Sequence, residues 1–198
     1  MRITKVDVFY VNDKDNPIIH QILCRVYTDN GLYGDGEAAM SYGIGAMAAY
    51  GMVQDLANLI IGMDPLENEV IWNKMYRTTF WGQNGVRLFT AGMRAIDIAL
   101  WDIKGKYFQV PVYTLLGGKL NDNLRTYASQ LQFGWTTRMG AMFTIEDYIA
   151  AARRAVADGY DAVKVDFFTF KESPELGGFS DKERTTLLTP ANLPTVVN

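Results

Sequence analysis

Apolar and polar side chains alternate over Ile3 to Tyr10, a pattern typical of a half-buried β-strand. Ile18 to Thr28 is a second run, rich in β-forming residues, and Leu32 to Ala38 is a third predicted strand. The tripeptide Asp29-Asn30-Gly31 supplies turn residues between the second run and the third. The simplest interpretation is a three-stranded antiparallel meander.

Three glycines in this region, Gly31, Gly34 and Gly36, have the spacing GxxGxG. The spacing differs from the dinucleotide-binding fingerprint, and no βαβ unit surrounds it. We therefore predict that these glycines allow close backbone packing or a β-bulge.

From about Ile44 the apolar positions recur at helical spacing. Asp64-Pro65 is typical of an N-cap followed by proline, which predicts a helix from there to about Thr79. Phe80 to Arg87 has the glycines of a loop. The strongest helical pattern follows, ending with the pair Asp102 and Lys106 at helical neighbour spacing. Its apolar seam consists of Met93, Ile96, Leu100, Ile103 and Tyr107.

Beyond Gly117-Gly118 the pattern predicts a strand over Arg125 to Leu131, a helix over Thr144 to Ala157 closed by Asp158-Gly159, and a strand over Asp161 to Phe168. A strand, a helix and a second strand make one crossover, which implies a parallel pair. The sequence thus predicts an α+β module over 1–120, followed over 121–198 by the first strands of a β/α array.

Composition narrows the possible functions. With 198 residues and 48% hydrophobic content, the chain can bury a sizeable core. The net charge of −3 argues against nucleic acid as a partner, and no apolar stretch is long enough to predict a membrane span. One cysteine, Cys24, and one histidine, His20, are too few for a zinc site. We expect Cys24 to be a small core residue and the protein to be cytoplasmic.

Two sequence segments show a resemblance to a known family. AIDIALWDIKGK (Ala95 to Lys106) and PVYTLLGG (Pro111 to Gly118), in this order, resemble the mandelate racemase and muconate-lactonising branch of the enolase superfamily. The resemblance implies an α+β N-terminal capping domain joined to a modified (β/α) TIM-type barrel. Such a barrel needs eight strands and about 250 residues. We therefore expect this chain to hold the N-terminal half, completed by the missing barrel half or by another chain, and to form a homo-oligomer.

The resemblance also implies a reaction. Members of the superfamily abstract a proton next to a carboxylate with a Lys or His base and Mg²⁺, and the superfamily is itself the standard example of that arrangement. Three acidic ligands come from the third, fourth and fifth barrel strands, so no metal ligand is assigned to any residue here. Asp161 is a tempting carboxylate, but the resemblance places it on the second strand.

Lys164 and Asp166 are the candidate catalytic residues. They share one face at the end of the second predicted barrel strand, where many relatives have Lys-x-Lys with the second Lys as base. Only the first position matches here, which favours sugar-acid dehydratases whose base lies on a later strand. The structural alternative is an ion pair between the two side chains.

Four residues are candidates for substrate binding. The resemblance implies that two capping loops, around 12–20 and 40–45, close over the barrel mouth, which points to His20 and Tyr42. Trp81 and Gln130, the latter near the end of the first barrel strand, complete the set. Solvated loop contacts for His20, packing for Trp81 and backbone hydrogen bonds for Gln130 are the structural alternatives.

The leading hypothesis is a Mg²⁺-dependent dehydratase acting on a small acid sugar. One alternative is a racemase or epimerase of 2-hydroxy acids, against which the absent second Lys counts. Another alternative is a truncated capping module without turnover, because the metal ligands of the family are not recognised in this sequence.

Overall fold

The computed structural model of the protein describes residues 1–12, 20–39, 44–80, 82–84, 86–133, 135 and 145–165. The chain divides into two compact units, Met1–Asp122 and Asn123–Asn198. The functional division into a capping domain over 1–120 and a barrel start over 121–198 stays a prediction.

A three-stranded antiparallel sheet opens the first unit, as predicted. Its strands are β1 (Ile3–Tyr10), β2 (Ile22–Thr28) and β3 (Tyr33–Ala38), in the spatial order β1-β2-β3. The turn between β2 and β3 closes with the Thr28 N–H donating to the Leu32 carbonyl over 3.0 Å. Gly31 within it has φ 86°, a left-handed conformation that glycine adopts without steric cost.

The described part of the first unit also has four helices: α1 (Ala46–Ile60), α2 (Asn68–Thr78), α3 (Arg87–Phe108) and α4 (Val112–Leu115). A 3₁₀ turn, Gly82–Asn84, lies in the segment predicted as a loop. None of the described helices combines the length and the apolarity needed to cross a bilayer.

The predicted start of α2 is wrong. The helix begins at Asn68, because Asp64 closes a separate turn ahead of it. The Asp64 carboxylate accepts the Leu66 N–H over 3.0 Å, and the Asp64 carbonyl accepts the Glu67 N–H over 3.1 Å. The aspartate therefore satisfies turn donors and does not cap the helix.

The apolar seam of α3 is confirmed along most of its length. Met93, Ile96, Leu100 and Ile103 are fully buried, in a core shared with the sheet and with α1 and α2.

The end of α3 differs from the sequence prediction. Tyr107 is 47% exposed, because the chain turns back here and the buried position of the last turn is Gly105. A side chain at Gly105 would meet the Val110 carbonyl and the Val112 side chain. The helix ends at Gln109, which is left-handed with φ 57° and donates its N–H to the Gly105 and Lys106 carbonyls.

Helix α3 lies directly on strand β3, which confirms the predicted close backbone packing at Gly34 and Gly36, whereas Gly31 has no such neighbour. A Cβ atom would come 2.0 Å from the Ala99 carbonyl oxygen at Gly34, and 1.9 Å from the Ala95 carbonyl oxygen at Gly36. These separations are far below van der Waals contact, so only glycine permits the observed approach. Cys24 belongs to the same core: its thiol donates to the Ala95 carbonyl over 3.3 Å, and burial raises its pKa to about 12.

Two charged side chains of α3 satisfy the backbone of β3. The Asp102 carboxylate accepts the Asp35 N–H over 3.0 Å and the Lys106 ammonium over 2.7 Å. That ammonium also donates to the Tyr33 carbonyl over 2.8 Å. The predicted pair of Asp102 and Lys106 is confirmed, and it supplies partners to an edge strand that would otherwise present unpaired groups.

The second unit contains α5 (Ile145–Ala157) and one parallel bridge, between Ala128 and Val163. The bridge agrees with the predicted parallel direction. Continuous strands over 125–131 and 161–168 were expected. The described part has only this bridge and a 3₁₀ turn at Leu131–Phe133. A continuous strand requires a ladder of hydrogen bonds to a neighbouring strand, and here the ladder is limited to one bridge. The predicted helix start at Thr144 lies outside the described residues.

The predicted end of α5 at Asp158-Gly159 is confirmed. Gly159 has φ 95° and donates its N–H to the Val156 carbonyl over 3.0 Å, while the Tyr160 N–H bonds to the Ala155 carbonyl over 3.1 Å. These bonds satisfy carbonyl groups that the helix end leaves without partners.

We predict that Gly36→Ala lowers the free energy of unfolding by about 1–3 kcal/mol, because the new methyl group forces α3 away from β3. Gly51→Ala is the matched control. No atom lies within 4 Å of a Cβ at that helical position, and we expect a gain of about 0.5–1 kcal/mol. Urea unfolding measures both variants, and equal effects at the two sites would contradict the close-packing account.

A second prediction concerns the exposed cross-strand pair Arg25 and Asp35. The Arg25 guanidinium bonds both Asp35 oxygens, over 2.7 and 3.0 Å, and these bonds hold the pKa of the Asp35 carboxyl below its ordinary value. The pair therefore stabilises the fold at pH values above the ordinary carboxyl range. That contribution is lost as the pH falls through the lowered pKa.

In Arg25→Gln the Asp35 pKa should rise towards its ordinary value, as measured by carbon NMR titration of the carboxyl. Lys74→Gln, on the exposed face of α2, serves as the charge control and should leave the Asp35 titration in place. An Asp35 titration that is the same in Arg25→Gln as in the native chain would sink this account.

Candidate active site

The second unit places Gln130 and Lys164 at the same end of two neighbouring parallel segments. The Ala128 N–H donates to the Ala162 carbonyl over 2.9 Å, and the Lys164 N–H donates to the Ala128 carbonyl over 2.8 Å. One step further, the Leu131 N–H donates to the Lys164 carbonyl over 3.1 Å. In a parallel pair both chains run the same way, so these two residues lie at the carboxyl-terminal edge.

Gln130 has an unusual backbone and a fixed side chain. Its φ is 61°, in the left-handed region that non-glycine residues seldom occupy. Its side-chain oxygen accepts the Gln132 amide over 2.6 Å, and its carbonyl accepts the Phe133 N–H over 3.0 Å. Gln132 engages one lone pair of this oxygen, and the Gln130 amide nitrogen is a donor suited to a ligand oxygen.

Lys164 is exposed, and its ammonium has no ion-pair partner among the residues that the structure describes. Asp166 lies outside those residues, so the proposed pairing of Lys164 with Asp166 stays a prediction. Gln130 and Lys164 together provide hydrogen-bond donors and one positive charge. Such a combination suits the oxygen atoms of an anion or a polyol.

The amino-terminal ends of the same segments hold a different arrangement. The Arg125 Nε atom contacts both oxygens of Asp161 at 3.1 Å, next to a shallow cavity of about 380 Å³ lined also by Thr126, Asp158 and Tyr160. Both charged side chains are largely exposed. In β/α barrels the face at the amino-terminal ends of the strands serves stability, while the opposite face carries the chemistry. We therefore interpret the pair of Arg125 and Asp161 as structural.

The remaining sequence candidates belong to the first unit. His20 stacks on Tyr10, with ring centroids 5.1 Å apart and an angle of 22° between the planes. Its Nδ1 atom is buried and has no hydrogen-bond partner in the described part of the chain. Tyr42 and Trp81 lie outside the described residues, and their role in substrate binding stays a prediction.

A Mg²⁺ ion is held by several oxygen ligands that converge on one point. No three His, Cys, Asp or Glu side chains of the described residues come together as a cation site. The donor set of these residues therefore does not fit Mg²⁺, and no described residue is assigned as its ligand.

Sequence reasoning missed two contributors, Gln132 and Tyr10. Gln132 is 4% exposed and holds the Gln130 amide. The sequence held no usable signal for this contact, because it depends on the left-handed Gln130 and on the 3₁₀ turn that follows it. Tyr10 could not be paired with His20 from sequence, because their contact depends on how the two ends of the first loop meet.

Comparison with known proteins agrees with this architecture. The family model described as mandelate racemase / muconate lactonizing enzyme, N-terminal domain, matches residues 18–117. A solved structure of an enolase superfamily member from Salmonella Typhimurium superposes with a TM-score of 0.81 at 46% identity, covering 91% of this chain and 48% of that one. The chain belongs to the mandelate racemase and muconate-lactonizing branch of the enolase superfamily.

Two further relatives indicate the chemistry of this branch. A D-galactonate dehydratase family member from Oceanicola granulosus is 36% identical over 165 residues, which cover 83% of this chain and 36% of the relative. An enolase from Pantoea ananatis, solved with bound D-gluconate and Mg, has a TM-score of 0.66 at 27% identity, covering 83% of this chain and 36% of that one. The chain thus spans about a third to a half of the length of these proteins.

We predict that Gln130→Gly is more stable than Gln130→Ala by about 1 kcal/mol, because only glycine enters the left-handed region without steric cost. Both variants lose the contact with Gln132, so the difference isolates the backbone. Chemical denaturation of the pair measures it. An alanine variant as stable as the glycine variant would argue against a left-handed Gln130.

Proposed function

We propose that this chain supplies the capping domain and the first barrel segments of a Mg²⁺-dependent acid-sugar dehydratase. The observation that carries the proposal is the parallel bridge of Ala128 with Val163, which brings Gln130 and Lys164 to one edge. Enzymes with this type of barrel carry their chemistry at the carboxyl-terminal ends of the strands. The acid-sugar names of the relatives supply the substrate class.

The proposed reaction removes one molecule of water from a sugar acid. A base takes the proton from the carbon next to the carboxylate, and the C–H electron pair moves into an enolate. The enolate then expels the neighbouring hydroxyl, which leaves as water with a proton from a general acid. The resulting enol takes up a proton at carbon and releases its hydroxyl proton, which gives a 2-keto-3-deoxy acid.

The described residues serve binding and charge stabilisation in this proposal. The Lys164 ammonium faces the substrate carboxylate, where negative charge grows as the enolate forms, and a fixed positive charge stabilises it. The Gln130 amide donates to a substrate oxygen. Substrate binding by His20, in the first unit, is a separate proposal. Asp166 and the Mg²⁺ ligands lie outside the described residues, and no step is assigned to them.

A matched pair of lysine variants tests the role of Lys164. In a chimera of residues 1–165 with the remaining barrel of the Oceanicola granulosus relative, Lys164→Met should lower kcat about 100-fold or more. Lys74→Met, on the exposed face of α2, should leave kcat unchanged. Keto-acid formation from D-galactonate and D-gluconate in the presence of Mg²⁺ is the readout.

The chain by itself, titrated with Mg²⁺ by calorimetry and assayed in parallel, provides the second comparison. An active chimera, together with no Mg²⁺ binding and no activity of the chain alone, would support the proposal that the remaining barrel supplies the metal site. Full activity of the Lys164→Met chimera would contradict the proposed role. Interconversion of 2-hydroxy acids without loss of water would replace dehydration by epimerisation.

A further inference from the structure

The position of His20 is set by the end of the β1–β2 ladder. Tyr10 is the last residue of β1, and one position further the Val11 N–H donates to the Gln21 carbonyl over 2.9 Å. This bond places His20 directly beside Tyr10, and their rings stack at 5.1 Å with an angle of 22° between the planes. A stacked neighbour restricts the tilt of an aromatic ring, so Tyr10 defines the plane in which both His20 nitrogens lie.

The structure constrains one ring nitrogen of His20 directly. Nδ1 is buried and finds no hydrogen-bond partner within the described ranges. A neutral imidazole carries one N–H and one lone pair. Buried N–H groups without an acceptor are rarer in proteins than acceptors lacking a donor. The proton therefore belongs on Nε2, and the lone pair on the buried Nδ1.

We propose that Tyr10 is a positioning residue, which holds His20 in the tautomer with a protonated Nε2 and thereby makes it a hydrogen-bond donor to a carboxylate or hydroxyl oxygen of the sugar acid. The choice of a sugar acid rests on the proposed function. The positioning by Tyr10 does not. In this arrangement His20 gives a hydrogen bond to substrate and does not take a proton from it, since its basic nitrogen is the buried one.

His20 is the one histidine of the chain, so nitrogen NMR of the histidine-labelled protein reads its ring without assignment ambiguity. At pH about 9 a free imidazole carries no charge, and N-acetyl-histidine amide under the same conditions gives the unrestrained tautomer mixture. The native chain should show the Nε2–H form to a greater extent than this reference. A spectrum matching the reference, or a dominant Nδ1–H form, would overturn the proposal.

Two variants separate stacking from the tyrosine hydroxyl. Tyr10→Phe retains the ring and should keep the native tautomer ratio. Tyr10→Leu removes the ring and should shift the ratio towards the free reference. A Tyr10→Leu ratio identical to the native one would show that Tyr10 does not position His20. Because Tyr10→Phe keeps the packing, its spectrum decides the role of the hydroxyl even if the leucine variant folds poorly.

Titration with D-gluconate tests the donor role, with sodium chloride at equal ionic strength as the control. Gluconate should shift the Nε2 resonance more than the Nδ1 resonance, and chloride should shift neither. Absence of a selective shift, with the tautomer confirmed, would overturn the substrate part and leave the positioning by Tyr10 in place. This outcome would be distinct from a failure of the dehydratase proposal, which is measured by keto-acid formation.

Discussion

The contact of α3 with β3 is the constraint on which the first unit depends. The helix approaches the strand so closely that carbonyl oxygens of Ala95 and Ala99 occupy the space of missing side chains at Gly36 and Gly34. At that distance the helix can also reach the strand backbone with the Asp102 carboxylate. A single helix therefore contacts one face and one edge of the sheet. Because β1 and β2 are paired with β3 in this sheet, the same contact positions the end of the β1–β2 ladder beside His20.

The two candidate binding regions use the same physical strategy. In each region, one polar atom of the side chain is hydrogen-bonded or buried. The other polar atom of that side chain is then the one that can bind a ligand. Gln132 engages the oxygen of Gln130, and burial isolates Nδ1 of His20. Both side chains are then left with donors. In the second unit, the Gln130 amide and the Lys164 ammonium suit the oxygen atoms of an anion or a polyol.

The sequence predicted the elements whose burial repeats with a regular period, namely the meander and the apolar seam of α3. It failed where tertiary contacts decide the outcome. Tyr107 continues the helical spacing of apolar residues in α3 but is exposed. Asp64 is a residue type common at helix N-caps but accepts a hydrogen bond within a separate turn. The left-handed Gln130 and the stacking of Tyr10 on His20 have no local signature, because each results from segments meeting across the fold. The order of the predicted strands was therefore enough to propose Gln130 and Lys164 as site residues. Which of their groups donate hydrogen bonds became clear only from the structure.

The buried thiol of Cys24 has a practical consequence. It is the one cysteine in the chain, it is 1% exposed, and burial suppresses the thiolate that would react with an alkylating reagent. Modification then waits for the sheet to separate from α3. At a high reagent concentration, where labelling outpaces reclosing, the labelling rate of Cys24 equals the rate at which the first unit opens, and no engineered probe is needed.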